Sequence, residues 1–296
     1  MQRVGIVGLG IMGTAFSSNL LQNGFEVVGY DVDGDRMDEL EAVGGIPAAS
    51  PADVAAQCDT VITALPSVAA LEEVVAGADG LIAGAHSGLT VIEMSTFPLD
   101  AKEGARTALE NKQTVVIDAP VSGTGLQAAV AEVVIYASGD SEAIANAEPI
   151  FAAIGKHTFD LGEFGNGSIM KFLANLLVSV HNLATAEAFV LGMKAGLEPQ
   201  QILDVLSAGV GSSRIFEIRG PMMVADSYEP AAARLKMFIK DVGVIGDFAR
   251  SLGVPTPLLD ASLPLYEQAV AAGLGEQDAA ALAALLGEQA GLGRDS

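Results

Sequence analysis

The strongest indication of the fold is a stretch of eleven residues near the start of the chain, Arg3-Val4-Gly5-Ile6-Val7-Gly8-Leu9-Gly10-Ile11-Met12-Gly13. A short β-branched run leads into the spacing G-x-G-x-x-G, and a helical pattern follows at once. This order is typical of a turn that binds a dinucleotide. Its glycines allow a tight turn, close approach of a pyrophosphate and close helix packing, while the first helical amides attract phosphate. We therefore expect cofactor contacts from the glycines and from Ile11 and Met12.

A carboxylate stands at the expected distance after this turn. Asp31 follows the next strand-like run, about 20 residues after the glycines, which is the usual offset for a ribose-binding acid. Such a carboxylate accepts hydrogen bonds from the ribose diol and repels a 2′-phosphate. The sequence therefore favours NAD over NADP, although Arg36 is close enough along the chain to leave dual use open.

Short β-branched runs alternate with helical stretches from Arg3 to about Gly162, which is typical of an α/β fold with a parallel sheet. We expect a doubly wound sheet in this part of the chain. The predicted strands are Val4 to Val7, Glu26 to Tyr30, Thr60 to Ala64, Thr90 to Met94, Val115 to Asp118 and Val133 to Ala137.

The pattern changes after Gly162. Gly165-Asn166-Gly167 opens a long apolar segment without proline that runs to about Lys194, and further helical stretches follow. We expect one long helix that leads into an all-helical second half. The predicted domains are residues 1–163 and 164–296, with the boundary at about 162–167.

The composition excludes several classes of partner. The chain has 296 residues, and its formal net charge of −22 would repel nucleic acid and anionic membranes. The one cysteine, Cys58, excludes an internal disulfide, and the Cys and His residues lack metal-ligand spacing, so we expect no metal. A strand begins directly at the N-terminus, and no uninterrupted apolar run is long enough for a membrane span. These features predict a cytoplasmic protein.

Polar groups follow three of the predicted strands, in the segments 64–67, 93–98 and 118–124. The carboxyl ends of parallel strands are where such sheets bind ligands. The hydroxyls and the glycine amide of the third segment could bind a small carboxylate. Lys171 and Asn175 are four residues apart and so share one face of the long helix. In an arbitrary helix, however, a lysine that extends to water is the commoner explanation.

These motifs, taken in order, resemble the β-hydroxyacid dehydrogenase family, which includes 3-hydroxyisobutyrate dehydrogenase. The matching segments are Gly8 to Gly13, Leu65-Pro66, Ser95-Thr96, Asp118 to Gly123, Gly165 to Asn175 and Lys240-Asp241. The resemblance implies a Rossmann-type domain, a helical domain like that of 6-phosphogluconate dehydrogenase, and a homodimer or homotetramer. It also implies that Lys171 is the catalytic acid/base, that Ser122, Gly123, Thr124 and Asn175 hold a small carboxylate substrate, and that Leu65, Pro66, Thr96 and Lys240 contact NAD.

Two features limit what the resemblance implies. Thr124 stands where family members often have a second glycine, and the following residues also depart from the family pattern. Because this segment borders the substrate, the hydroxyacid can differ from 3-hydroxyisobutyrate. Alternative functions are reduction of small aldehydes such as semialdehydes, reduction of imines, and NAD binding by a sensor without chemistry.

Overall fold

The computed structural model describes residues 2–293. Its strands are β1 Arg3–Val7, β2 Glu26–Tyr30, β3 Ile46–Pro47, β4 Thr60–Thr63, β5 Thr90–Glu93, β6 Val115–Asp118, β7 Val121–Ser122, β8 Val134–Ala137 and β9 His157–Asp160. The helices up to β9 are α1 Ile11–Gln22, α2 Gly34–Ala42, α3 Pro51–Gln57, α4 Val68–Ala76, α5 Leu81–Gly84, α6 Leu99–Glu110, α7 Gly125–Ala129 and α8 Ser141–Ile154.

The first six strands form one parallel sheet in the order β3-β2-β1-β4-β5-β6. This order is that of a Rossmann-type doubly wound fold and confirms the predicted fold class. Successive strand residues belong to different apolar clusters: Ile62 and Ile92 lie in one, whereas Val61 and Val91 lie in another. The sheet is therefore buried on both faces, which explains why its strands are continuous apolar runs.

A second sheet of three strands, in the order β7-β8-β9, differs from the prediction that Val133 to Ala137 continues the parallel sheet. β7 pairs with β8 in the antiparallel direction. Pro120 has no N–H to donate, so the ladder of β6 stops there. The Pro120 carbonyl instead accepts a hydrogen bond from Tyr136 N at 3.0 Å, and the chain continues into the smaller sheet.

The described residues divide into two compact units between Lys171 and Phe172. The second unit is all-helical, as predicted, and α9 Asn166–Lys194 begins in the first unit and ends in the second. The other helices are α10 Pro199–Ser207, α11 Arg214–Val224, α12 Leu235–Ser251, α13 Pro257–Ala269 and α14 Leu282–Gln289, with short helical turns at Val270–Leu274 and Ala279–Ala281. The domain boundary at residues 163/164 stays a prediction.

Polar groups on α9 are buried in the second unit. Asn182 is fully buried, and its amide donates hydrogen bonds to the Tyr266 hydroxyl and to the Ala279 carbonyl. Among the described residues, α9 is the one helix whose length and hydropathy would allow it to cross a membrane, although a core helix passes the same test. Polar residues such as Lys171, Asn175, His181 and Glu187 interrupt this helix, so it contains no uninterrupted apolar run of the length that the sequence analysis required.

A buried ion pair fixes the start of α12. Arg219 Nε lies 3.1 Å from Asp278 Oδ1, and both side chains are almost fully buried. The other Asp278 oxygen accepts hydrogen bonds from the amides of Ala232 and Ala233, just before α12. Asp278 therefore neutralises a buried guanidinium and satisfies buried amides of the segment that leads to the helix.

We expect Asp278→Ala to lower the free energy of unfolding by about 3–5 kcal/mol, because it leaves Arg219 charged and unpaired in the core. Urea titration followed by circular dichroism measures the loss. The matched control is Asp247→Ala, which removes the exposed ion pair with Arg250 and should cost less than about 1 kcal/mol. Equal, small losses in the two variants would contradict the anchoring role of Asp278.

Candidate active site

The glycine-rich turn between β1 and α1 depends on close backbone contacts. Gly8 has φ +94°, and a Cβ there would lie 2.3 Å from the Ala64 carbonyl oxygen. A Cβ on Gly13 would lie 1.8 Å from the Gly8 carbonyl oxygen. Any side chain at either position would force the turn open. A Cβ on Gly10, by contrast, would meet no atom within 4 Å, so the backbone there is open to the approach of a ligand.

The first turn of α1 has the features of an anion site. Its N-cap residue is Gly10, which has no side chain to accept hydrogen bonds from the first amides of the helix. Those amides and the helix dipole favour a phosphate group at this end. Ile11 is exposed and Met12 half-buried. A Cβ on Gly125 would lie 2.4 Å from Ile11 Cγ2, so the segment after β7 packs directly against this turn.

Asp31 lies beside the glycine-rich turn at the end of β2. Its Oδ2 accepts a hydrogen bond of 2.6 Å from Leu9 N, and its Oδ1 accepts one of 3.0 Å from Asp33 N. The carboxylate is therefore held in one orientation and stays partly exposed. Arg36 also reaches the turn, because its Nη1 donates to the Leu9 carbonyl oxygen at 3.4 Å. Asp31, which the sequence analysis expects to favour NAD, and Arg36, the cation that could accept a 2′-phosphate, thus lie at the same turn.

The predicted cofactor contacts after β4 and β5 lie next to each other. Leu65 N donates a hydrogen bond of 2.9 Å to Ser95 Oγ, which joins the ends of the two strands. Leu65 also packs against the glycine-rich turn, since a Cβ on Gly8 would lie 3.2 Å from Leu65 Cδ2. Pro66 is exposed and Thr96 is half-buried. This edge of the sheet therefore presents the segments 8–13, 65–66 and 95–96 together.

The predicted substrate segment has a special backbone conformation. Gly123 has φ +152°, and a Cβ there would lie 2.7 Å from Val133 Cγ1, so a side chain would fit poorly. Ser122 is half-buried at the end of β7. The Thr124 hydroxyl accepts from Gln127 N, and Thr124 N donates to Gln127 Oε1, which forms a capping box on α7. Thr124 therefore has a local structural role, and its substrate contact stays a prediction.

Asp118 caps the helix that carries Lys171. The carboxylate is fully buried and accepts hydrogen bonds of 2.8 Å from both the backbone amide and the hydroxyl of Ser168. Ser168 is the third residue of α9, so a negative charge from β6 satisfies the first turn of that helix and interacts favourably with its dipole. Lys171, half-buried, follows one turn later. The sequence prediction placed Asp118 in a motif but missed this role.

The residue beside this cap, Gly167, lies too close to the neighbouring strands for a side chain. A Cβ on Gly167 would lie 2.1 Å from the Tyr136 carbonyl oxygen and 2.8 Å from the Asp118 carbonyl oxygen. Gly167 N also donates a hydrogen bond of 2.9 Å to Ser138 Oγ. The absence of a side chain thus lets α9 begin in direct contact with β6 and β8.

Two predicted site residues of the second unit, Asn175 and Lys240, both lie next to the carboxylate of Asp241. Asn175 Nδ2 donates a hydrogen bond of 2.9 Å to Asp241 Oδ2. Lys240 Nζ lies 3.6 Å from the other oxygen of the same carboxylate. Asp241 therefore orients Asn175 and lies next to the cation that the resemblance assigns to the cofactor. Among residues 2–293, no cluster of metal-ligating side chains is present.

Comparison with known proteins gives matches over both halves of the chain. The family model of the NAD binding domain of 6-phosphogluconate dehydrogenase matches residues 3–162. The model described as NAD-binding of NADP-dependent 3-hydroxyisobutyrate dehydrogenase matches residues 165–286. The two models follow each other along the chain in the order that the sequence pattern predicts.

Individual relatives are similar over nearly their whole length. L-threonate dehydrogenase of Cupriavidus necator is 36% identical, and the match covers 95% of each chain. Glyoxylate/succinic semialdehyde reductase 1 of Arabidopsis thaliana is 33% identical over 94% of this chain and 96% of that protein. The crystal structure of 3-hydroxyisobutyrate dehydrogenase from Salmonella typhimurium has a TM-score of 0.86 at 30% identity and covers 96% of this chain and 100% of that one.

Asp31→Ser tests the carboxylate beside the glycine-rich turn. Loss of charge-assisted hydrogen bonds to the ribose should weaken NAD binding by roughly 10- to 100-fold. NADP binding should change by less than about threefold, because the repulsion of the 2′-phosphate is lost together with the hydrogen bonds. Fluorescence titration with NADH and NADPH measures both affinities. Asp38→Ser, on the exposed surface of α2, is the matched control, and equal losses for both cofactors would contradict the role of Asp31.

Proposed function

Because the chain belongs to the β-hydroxyacid dehydrogenase family, we propose that it transfers hydride between a small hydroxy carboxylate and NAD, with Lys171 as the acid/base. The observation that carries this proposal is the buried cap of Asp118 on Ser168, which fixes the helix turn that bears Lys171. A lysine on a turn held in this way fits a positioned catalytic group better than a side chain that merely extends to water.

The residues of the glycine-rich turn fit NAD. The open backbone at Gly10 and the uncapped amides of α1 would hold the pyrophosphate, and Asp31 would accept hydrogen bonds from the ribose. Leu65, Pro66 and Thr96, together with Lys240 of the second unit, would make the remaining contacts. NAD, when bound, supplies the hydride acceptor. Asp31 favours NAD over NADP in this proposal, and Arg36 is the residue that would allow some use of NADP.

The substrate would be held by its carboxylate. The Ser122 hydroxyl and the Gly123 amide are the donors for that group, Thr124 flanks them, and Asn175 orients the substrate. A net charge of −22 makes such local donors necessary, since the protein as a whole repels an anion. The relatives named above act, by their names, on small carboxylates such as threonate and 3-hydroxyisobutyrate.

Lys171 would transfer a proton to and from the substrate oxygen. During oxidation, the Lys171 Nζ accepts the proton of the substrate hydroxyl. The carbon that bears this hydroxyl loses hydride at the same time, and the C–O bond becomes a carbonyl group. During reduction, the ammonium returns the proton to the carbonyl oxygen as hydride arrives at the carbon. Acid/base catalysis of this kind contributes about 10²- to 10⁴-fold to the rate.

Reduction of a small semialdehyde is the second candidate for the same residues. The observation that favours it is the 33% identity to the Arabidopsis glyoxylate/succinic semialdehyde reductase. Both candidates use the same proton transfer and differ in direction and substrate. A cytoplasmic location and a homodimer or homotetramer are also part of the proposal. Exposed leucines at positions 173, 177 and 191 share one face of α9 and would suit contact between subunits.

A substrate screen followed by Lys171→Ala tests the proposal. Absorbance at 340 nm would be followed with threonate, serine, glycerate, 3-hydroxyisobutyrate and 4-hydroxybutyrate in one direction, and with succinic semialdehyde in the other. On the best substrate, Lys171→Ala should lower kcat by at least about 100-fold. Its affinity for NAD should stay within about threefold, because the cofactor contacts remain.

Lys194→Ala is the matched control, since it removes an exposed lysine from the last turn of the same helix. It should keep kcat within about twofold of the wild type. Wild-type turnover in Lys171→Ala would overturn the assignment of the acid/base. NAD binding without turnover of any substrate would favour a sensor.

A further inference from the structure

A buried lysine that none of the motifs includes lies beneath the candidate site. The side chain of Lys102, on α6, is fully buried, and its Nζ lies 2.6 Å from Glu93 Oε2 and 2.7 Å from Asp118 Oδ1. A buried ammonium is costly unless it is paired, and apolar side chains would fill such a space at least as well. The stability of the sheet alone therefore does not account for three charged groups at this position.

The two carboxylates lead to different parts of the site. Glu93 Oε1 accepts a hydrogen bond of 2.9 Å from Ser95 N, and Ser95 Oγ in turn accepts one from Leu65 N. Asp118 accepts hydrogen bonds from the amide and the hydroxyl of Ser168 in the first turn of α9. Lys102 is thus the cation that joins the segments expected to contact the cofactor with the helix that carries Lys171.

The charges of this cluster make the lysine necessary. One ammonium faces two carboxylates, so loss of its charge would leave two buried anions against each other. Burial alone would lower the pKa of Lys102, but Glu93 and Asp118 outweigh it and raise this pKa above its ordinary value. Burial raises the pKa of Glu93, although Lys102 opposes that effect. Lys102 is therefore protonated at neutral pH, and its ammonium is the counter-ion of Asp118 while Asp118 caps α9.

We propose that Lys102 is a positioning residue for hydride transfer: it holds Glu93 and Asp118 in place and thereby sets the position of Lys171 relative to the segments 65–66 and 95–96. This inference rests on the proposed role of Lys171. Lys171 lies only three residues after Ser168, so a change in the cap displaces it directly. A misplacement of about 1 Å can lower the rate of an enzyme by roughly 100-fold.

Lys102→Met tests the proposal, because it keeps the unbranched side chain up to the ε position and removes the charged ammonium group. We expect kcat to fall by about 100-fold. The Kd for NAD should change by less than about fivefold, since the glycine-rich turn and Asp31 lie outside the cluster. Hydrogen exchange of the amides of residues 165–172, measured by mass spectrometry without cofactor, should become faster because the cap on α9 is loosened.

Leu109→Ala is the matched control for a structural effect. Leu109 is buried in the apolar core and lies on the same helix as Lys102. Its truncation should lower the Tm but leave kcat at 25 °C and the exchange of residues 165–172 unchanged. If Lys102→Met does not fold, Ser168→Ala replaces it, because this change removes one hydrogen bond to Asp118 and keeps the backbone amide. It should lower kcat by about tenfold and also speed exchange.

Wild-type kcat together with wild-type exchange in Lys102→Met, or in Ser168→Ala where the first variant does not fold, would overturn the positioning role. So would a loss of kcat in Leu109→Ala as large as in the test variant. Failure of the proposed function has a different signature: Lys171→Ala would keep its turnover, whereas the exchange of residues 165–172 would still respond to Lys102→Met. The two hypotheses can therefore fail separately.

Discussion

The hydrogen bonds between the Asp118 carboxylate and Ser168 are the interaction on which the candidate site depends. They join the end of β6, an edge strand of the six-stranded sheet, to the first turn of the 29-residue helix α9. A buried carboxylate needs partners, and a helix start needs acceptors, so each group satisfies the other. Gly167 makes this contact geometrically feasible, because any side chain there would collide with the Tyr136 carbonyl. The cap thus fixes the position of the helix turn that leads to Lys171.

Electrostatics explain why the site is built from backbone amides and a few cations. With a net charge of −22, the chain repels both a dinucleotide and a carboxylate substrate at long range. In the proposed function, binding would therefore rely on short-range donors, such as the uncapped amides of α1 and the backbone amide of Gly123. Cations buried within the protein have a different task. Lys102 neutralises the carboxylates that hold the segments in place, and Arg219 does the same for Asp278 in the second unit.

The sequence predicts those features that depend on neighbours along the chain. The strands β2 and β6 have their predicted bounds, and Asp31 lies beside the glycine-rich turn as the spacing indicates. The small sheet was only partly predicted, because β7 has two residues and β9, His157–Asp160, has no apolar alternation. The burial of Lys102 was not predictable, since its partners Glu93 and Asp118 become neighbours only when β5 and β6 pair. The capping role of Thr124 could have been found from Gln127 three residues later.

The candidate site has two parts that differ in their tolerance to substitution: the turn formed by residues adjacent in sequence, and the buried charges brought together by strand pairing. The proposed cofactor contacts depend on backbone geometry, because the glycines at positions 8 and 13 leave no room for a side chain. The proposed chemistry depends on buried charges, because Lys171 follows a helix turn that is held by Asp118 and, through it, by Lys102. A change in the buried cluster can therefore reduce turnover while the nucleotide still binds. The segment 122–124 belongs to neither part: Ser122 and Thr124 present side chains there, whereas a side chain at Gly123 would collide with Val133.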